Sequence, residues 1–209
     1  MATPGLFSTG LSPSSLPKDV WGLAPLAGRL VEISGHRAAA NLTVAFGLVR
    51  EAQEKDEPVA WVTLARSTFF PPDAVESGID LDPLAVVRVR DARAACRATV
   101  ELTRSGGFGL VVLDLGPEAI GESLEKKRSR IAVPFITKLV GLAQKSSTAV
   151  VVLTEKTRDS SSLSSLVSLR CEARRLTGGS EVEIEILKDK RRGPGRRYRE
   201  VCSAPAGLR

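Results

Sequence analysis

The stretch GRLVEISGHRAAANLTVAFGLV, residues 28–49, changes its hydrophobic period once, and that change decides the fold. RLVEISG at 29–35 is a short, mainly apolar run closed by glycine, which predicts a buried strand entering a turn. In AANLTVAFGLVREAQEK at 39–55, Leu42, Ala45, Phe46 and Val49 recur at helical spacing, and charges gather toward the end as on a solvated last turn. A strand that is apolar on both faces needs a covering layer on each side.

The alternation repeats outward from there. VAWVTLA at 59–65, LAVVRV at 84–89, FGLVVLDL at 108–115 and STAVVVLTE at 147–155 are predicted strands. PPDAVESG at 71–78, ARAACRATVELTRS at 92–105 and a segment from about 123 to 144 are predicted helices, with Pro134 either kinking the last one or marking its start. SSLVSLRCEARRL at 164–176 and SEVEIEILKDKR at 180–191 alternate in polarity across the turn TGG at 177–179, so they are predicted as an antiparallel pair. The expected architecture is α/β, with a mainly parallel sheet between two helical layers and antiparallel strands at the C-terminal edge. Residues 1–27, rich in Ser, Pro and Gly, are expected to run extended over the surface, 28–202 to form the core, and 203–209 to be a flexible tail. No internal repeat is visible.

Composition narrows the function. With 209 residues and 43% hydrophobic content the chain can fill the core of one domain. No apolar run approaches the ~20 residues that cross a bilayer, and the N-terminus lacks the pattern of a signal peptide, so a cytoplasmic location is expected. Cys96, Cys171 and Cys202 are widely spaced and His36 is the sole histidine, so neither a metal centre nor a Ser-His-Asp triad is expected. The net charge of +6 is concentrated in KKRSR at 126–130 and KDKRRGPGRRYR at 188–199, patches that suit phosphates or an acidic partner. An aromatic content of 4% argues against a stacking platform for single-stranded bases.

In an open parallel sheet, ligands gather at the carboxyl ends of the strands, which points to the turn after residue 35. A phosphate loop there would read G-x-x-x-x-G-K-[ST]. Gly35 fits the first position, but Ala40 stands at the second glycine, Asn41 at the lysine and Leu42 at the magnesium-binding hydroxyl. Thr43 lies one place too late. Loss of the lysine and the hydroxyl should each cost several kcal/mol in nucleotide binding or transition-state stabilisation. The helix N-terminus still offers N–H groups for a weakly held anion, and His36 or Arg37 are the nearest replacement cations.

GRLVEISG with its helix, LVVLDL, GLAQKSSTAVVVLTE, SLVSLRCEARR and ILKDK together resemble the RecA core in order and spacing, and FSTGLSPSSLPKDVWGLAPLAGR resembles the lead-in to the RecA phosphate loop. The resemblance implies that Asp114 corresponds to the acidic strand end that supports magnesium, and that Ala65 stands where the water-activating Glu belongs. It also matches Lys188 and Lys190 to a pair that reaches a neighbouring subunit's nucleotide, and 154–165 to the second DNA loop, here short, without its glycines and expected to be flexible. With Asn41 and Leu42 changed as well, three parts of an ATPase are missing, so no cofactor and no metal are expected. Neither the docking N-terminal helix nor the DNA-gathering C-terminal domain of RecA has a counterpart here, so a RecA-like filament is not expected.

Size, core and the basic closing segment are most similar to the ImuA proteins, RecA-related accessory factors of damage-induced mutagenesis. That resemblance implies non-catalytic binding to ImuB, an inactive Y-family polymerase relative, and to an error-prone polymerase, with RecA and DNA as further partners. Arg191, Arg192, Arg196, Arg197 and Arg199 are the first candidate contacts, with Lys188 and Lys190 beside them, and Lys126, Lys127, Arg128 and Arg130 second. Two alternatives are a SulA-like cell-division inhibitor and a divergent RecA-family ATPase that uses Asp114.

Overall fold

The structure, a computed structural model, describes residues 21–36, 39–65, 69–116 and 131–201. Eight strands form one sheet: β1 Leu30–Gly35, β2 Val59–Leu64, β3 Leu84–Val89, β4 Leu110–Asp114, β5 Ala149–Glu155, β6 Leu169–Arg175, β7 Glu181–Asp189 and β8 Arg197–Val201. Their order is β3-β2-β4-β5-β1-β6-β7-β8. The pairs from β3 to β6 are parallel, and β7 and β8 are antiparallel additions. Among the described residues, the α-helices that accompany them are α1 Asn41–Gln53, α2 Pro71–Glu76, α3 Ala92–Ser105 and α4 Val133–Ser146.

The two sheet faces have separate cores. Val31, Ile33, Trp61, Val112 and Val151 point to the side covered by α1 and α2, where Phe46, Trp61 and Phe69 cluster with ring centroids 5.1–6.1 Å apart. Leu30, Val62, Val111, Leu113 and Val152 face α3 and α4. The crossovers through α1 and α2 run toward β3, and those through α3 and α4 run back toward β5. Opposite directions on opposite faces keep every crossover the same hand, as right-twisted strands require.

The β5–β6 crossover differs from the others. It passes over β1 on the α4 face, and its middle, 156–168, contains no helix. Leu163, Leu166 and Val167 pack it into the second core. A buried crossover without helical hydrogen bonds must find other partners for its backbone. Glu32, fully buried on β1, accepts the N–H of Leu163 at 2.9 Å and the hydroxyl of Thr154 at 3.0 Å, and it pairs with Lys156. Arg170, also buried, donates to the carbonyls of Thr157, at 2.9 Å, and Ser160. Lys188 donates to the carbonyls of Ser164 and Ser165 at 3.3 and 3.1 Å. The expectation of a flexible 154–165 loop is therefore corrected: the segment is a strap fastened to the sheet by three charged side chains.

One more expectation is revised. Residues 21–27 do not run extended over the surface: Ala24–Leu26 form a 3-10 turn, and Trp21, Leu23 and Leu26 are buried in the first core. Glu51 fixes this entry by accepting the N–H of Leu23 at 2.7 Å. The apolar residues there are spaced for a single turn, too short to show a period. The closing basic segment also contains a strand, β8, in which Tyr198 faces the core while Arg197 and Arg199 face outward. Pro134 sits in the first turn of α4, so it opens that helix without kinking it. The expected tail, 203–209, lies outside the described residues. Among the described residues no helix is long and apolar enough to cross a membrane.

If residues 21–27 belong to the core, Leu26→Ala leaves a cavity and lowers unfolding stability by about 2–5 kcal/mol in denaturant titration. A surface lead-in would lose less than about 0.5 kcal/mol.

Candidate functional site

The carboxyl ends of the central strands bring together Gly35 of β1, Asp114 of β4 and Glu155 of β5. Lys156 donates its N–H to the Gly35 carbonyl at 3.0 Å, which holds the ends of β1 and β5 side by side. The connection from β1 to α1 then bends toward β6. Ala39 forms an antiparallel bridge with Arg174, and the Ala40 N–H donates to the Ala173 carbonyl at 3.1 Å. Gly35 permits this bend, because a Cβ there would lie 2.8 Å from the Ala39 Cβ and 3.2 Å from the Ala173 oxygen.

Helix α1 starts at Asn41 behind Ala40, which offers no side-chain cap. The Asn41 amide turns to the end of β5 and donates to the Thr154 carbonyl at 3.4 Å. The Thr43 hydroxyl accepts from Arg175 at 2.8 Å and so faces β6, away from any magnesium position next to Asp114. Leu42 packs against the first core and lines the pocket.

That pocket has a volume of about 250 Å³ and is lined by the α1 start, Asp114, Gly116 and the end of β5. It falls just below the roughly 300–1,000 Å³ of typical small-molecule sites. Its charged lining among the described residues is two carboxylates, Asp114 and Glu155. Burial raises the Asp114 pKa above the usual carboxylate range, against the opposing Gly116 N–H at 3.0 Å and Thr63 hydroxyl at 3.2 Å. Ala65 lies at the end of β2, exposed, with its N–H on the Val89 carbonyl, and its methyl group can hold no proton. Arg37 lies outside the described residues, and His36 is exposed beside the turn.

The basic candidates lie elsewhere. The end of β7 pairs with the start of β6, so the β7–β8 turn sits at the end of the sheet opposite Gly35. Asp189 organises it, accepting from Arg29 at 2.6 Å, from Arg196 at 2.5 Å and from the Arg191 N–H at 2.8 Å. Burial disfavours its charge, but that N–H and the two guanidinium groups outweigh burial and hold its pKa at about 2. Arg197 pairs with Glu185 and Arg199 with Glu183, beside Arg158 and Arg174 on the same two carboxylates. Lys188 is held against the strap, whereas Lys190, Arg191 and Arg192 are exposed. Lys126, Lys127, Arg128 and Arg130 lie outside the described residues.

Sequence reasoning missed Glu32, Arg170 and Asp189. Their signal was present, since each is a charge inside or closing an otherwise strand-like run, but its pairing needed the fold.

No protein-family model matches the chain. Over 93% of its length it is 28% identical to the RecA protein of Caulobacter vibrioides, and over 95% it is 27% identical to that of Leptospira meyeri. It spans 61% and 54% of those two proteins. Among solved structures, the crystal structure of the RadB recombinase matches with a TM-score of 0.66 at 16% identity, covering 86% of this chain and 89% of that one. The chain is RecA-like in sequence, and its fold is the α/β fold shared with RadB.

A raised carboxyl pKa in the folded state means that ionised Asp114 weakens the fold. That deficit is absent below the ordinary carboxylate pKa of 3.8 and sets in as pH rises through the folded value. Asp114→Asn should therefore raise the melting temperature at neutral pH, and the gain should vanish in acid. A melting temperature that falls at neutral pH contradicts this environment.

Proposed function

We propose that the protein is a non-catalytic, RecA-like accessory factor of error-prone translesion DNA synthesis in the damage response. It acts by docking on an ImuB-type polymerase relative and its associated error-prone polymerase. The observation that carries the non-catalytic half is the docking of Ala39 and Ala40, just before α1, onto β6. The N–H at the second-glycine position is engaged by Ala173, Thr43 is engaged by Arg175, and Asn41 is engaged by Thr154. A triphosphate entering the pocket would meet Asp114 and Glu155 with no described lysine or arginine lining it. Like charges repel without a compensating cation.

The translesion half rests on the resemblance in size, core order and Gly/Pro-containing basic closing segment to the ImuA proteins. A RecA-like scaffold without turnover still presents rigid surfaces, and a binding role uses those surfaces alone.

A fluorescent ATP analogue titrated with magnesium tests the reading, beside the Asn41→Lys/Leu42→Thr variant. Neither protein is expected to bind at millimolar nucleotide, because restoring the side chains leaves the Ala40 N–H on Ala173. Pull-down should then recover the ImuB-type partner equally with and without ATP. Micromolar binding by the native chain, with ATP turnover that Asp114→Ala abolishes, would instead support the divergent ATPase.

A further inference from the structure

The turn between β7 and β8 is built in a way that neither the adaptor role nor the pocket at Gly35 requires. Its sequence, KRRGPGR at 190–196, contains no large apolar side chain. Gly193 and Gly195 adopt φ of 77° and 98°, conformations that side chains resist, and their N–H groups donate to the carbonyls of Asp189 and Ile186 at 3.0 and 2.8 Å. Below the turn, the Arg29–Asp189–Arg196 cluster fixes its base, with the Arg29 and Asp189 side chains only 3% and 1% exposed. The result is a stiff hairpin with Lys190, Arg191 and Arg192 exposed.

A cavity of about 90 Å³ opens beside this base, lined by the charged side chains of Arg29, Asp189, Arg191, Arg192 and Arg196 and by apolar ones that include Trp21, Leu26, Leu169 and Ile186. The Asp189 carboxylate is already engaged by Arg29, Arg196 and the Arg191 N–H, so the charge presented by the lining is positive.

We propose that the β7–β8 hairpin contacts a nucleic-acid backbone, with Lys190, Arg191 and Arg192 neutralising phosphates. The turn exposes three cations and no large apolar side chain, which favours this occupant over an acidic protein. Protein interfaces are centred on buried apolar and aromatic anchors, whereas backbone contacts need cations and forked guanidinium donors. A rigid base lowers the cost of ordering those long side chains on binding. Lys188 holds the strap and Arg196 the base of the turn. The contact stands apart from the adaptor reading, since partner capture can fail while DNA binding holds, and the reverse.

Fluorescence anisotropy with labelled duplex and single-stranded oligonucleotides, across a salt series, tests it. Arg191→Ala/Arg192→Ala should weaken binding by at least about 10-fold and reduce the log–log salt slope by about 2, with an unchanged melting curve. Lys190→Gln, outside the clamp, should reduce the slope by about 1. Unchanged affinity and slope in the variants would overturn the proposal, as would a loss confined to polyglutamate binding.

Discussion

Glu32 is a carboxylate on the central strand of the sheet, sealed from solvent, and the arrangement of β5, β1 and β6 depends on how it is satisfied. A buried charge without partners costs many kcal/mol, so its environment must be built around it. Here the environment is the β5–β6 strap: Thr154, Lys156 and Leu163 all converge on the one side chain. Desolvation lowers the Lys156 pKa, and the Glu32 contact opposes that shift. Arg170 and Lys188 complete the arrangement by taking carbonyls that a helix would have paired internally. The strap is thus a crossover that exchanges helical hydrogen bonds for charged side chains.

The state of the β1–α1 connection follows from this. With β5 and β6 both in register against β1, the Ala173 carbonyl arrives next to the turn that leaves Gly35. The turn closes onto it through Ala40, and the small residues Gly35 and Ala39 let the backbones meet. Asn41 and Thr43 then find partners on β5 and β6 in place of a phosphate or a metal. The pocket that remains is small and acidic, while the exposed cations of the β7–β8 turn lie at the far end of the sheet. Any role for those cations is therefore physically separate from the strand ends where a nucleotide would sit.

Much of the fold was legible because its strands are apolar on both faces and its helices amphipathic, so VVVLTE and LVVLD could hardly be read otherwise. The antiparallel edge was legible from the alternation in EVEIEI, where Val182, Ile184 and Ile186 face the core and Glu183 and Glu185 face arginines. The candidate phosphate-loop positions could be named from spacing alone, but not where Asn41 and Thr43 would turn, since their partners are more than 100 residues away in sequence. The strap looked flexible because TRDSSSLSS is polar and nonperiodic, and its order comes from charges supplied by β1, β6 and β7. Local composition carries no trace of such long-range pairing. β8 was hidden for a related reason, as its outward arginines masked the inward Tyr198.

The central claim is that the β1–α1 connection is closed on its own sheet. Amide hydrogen exchange at Ala40, followed by heteronuclear NMR with and without magnesium and ATP, addresses it at the atom concerned. The account predicts a slowly exchanging Ala40 N–H whose rate and chemical shift do not respond to millimolar nucleotide. A rapidly exchanging amide that becomes protected only when nucleotide is added would contradict it.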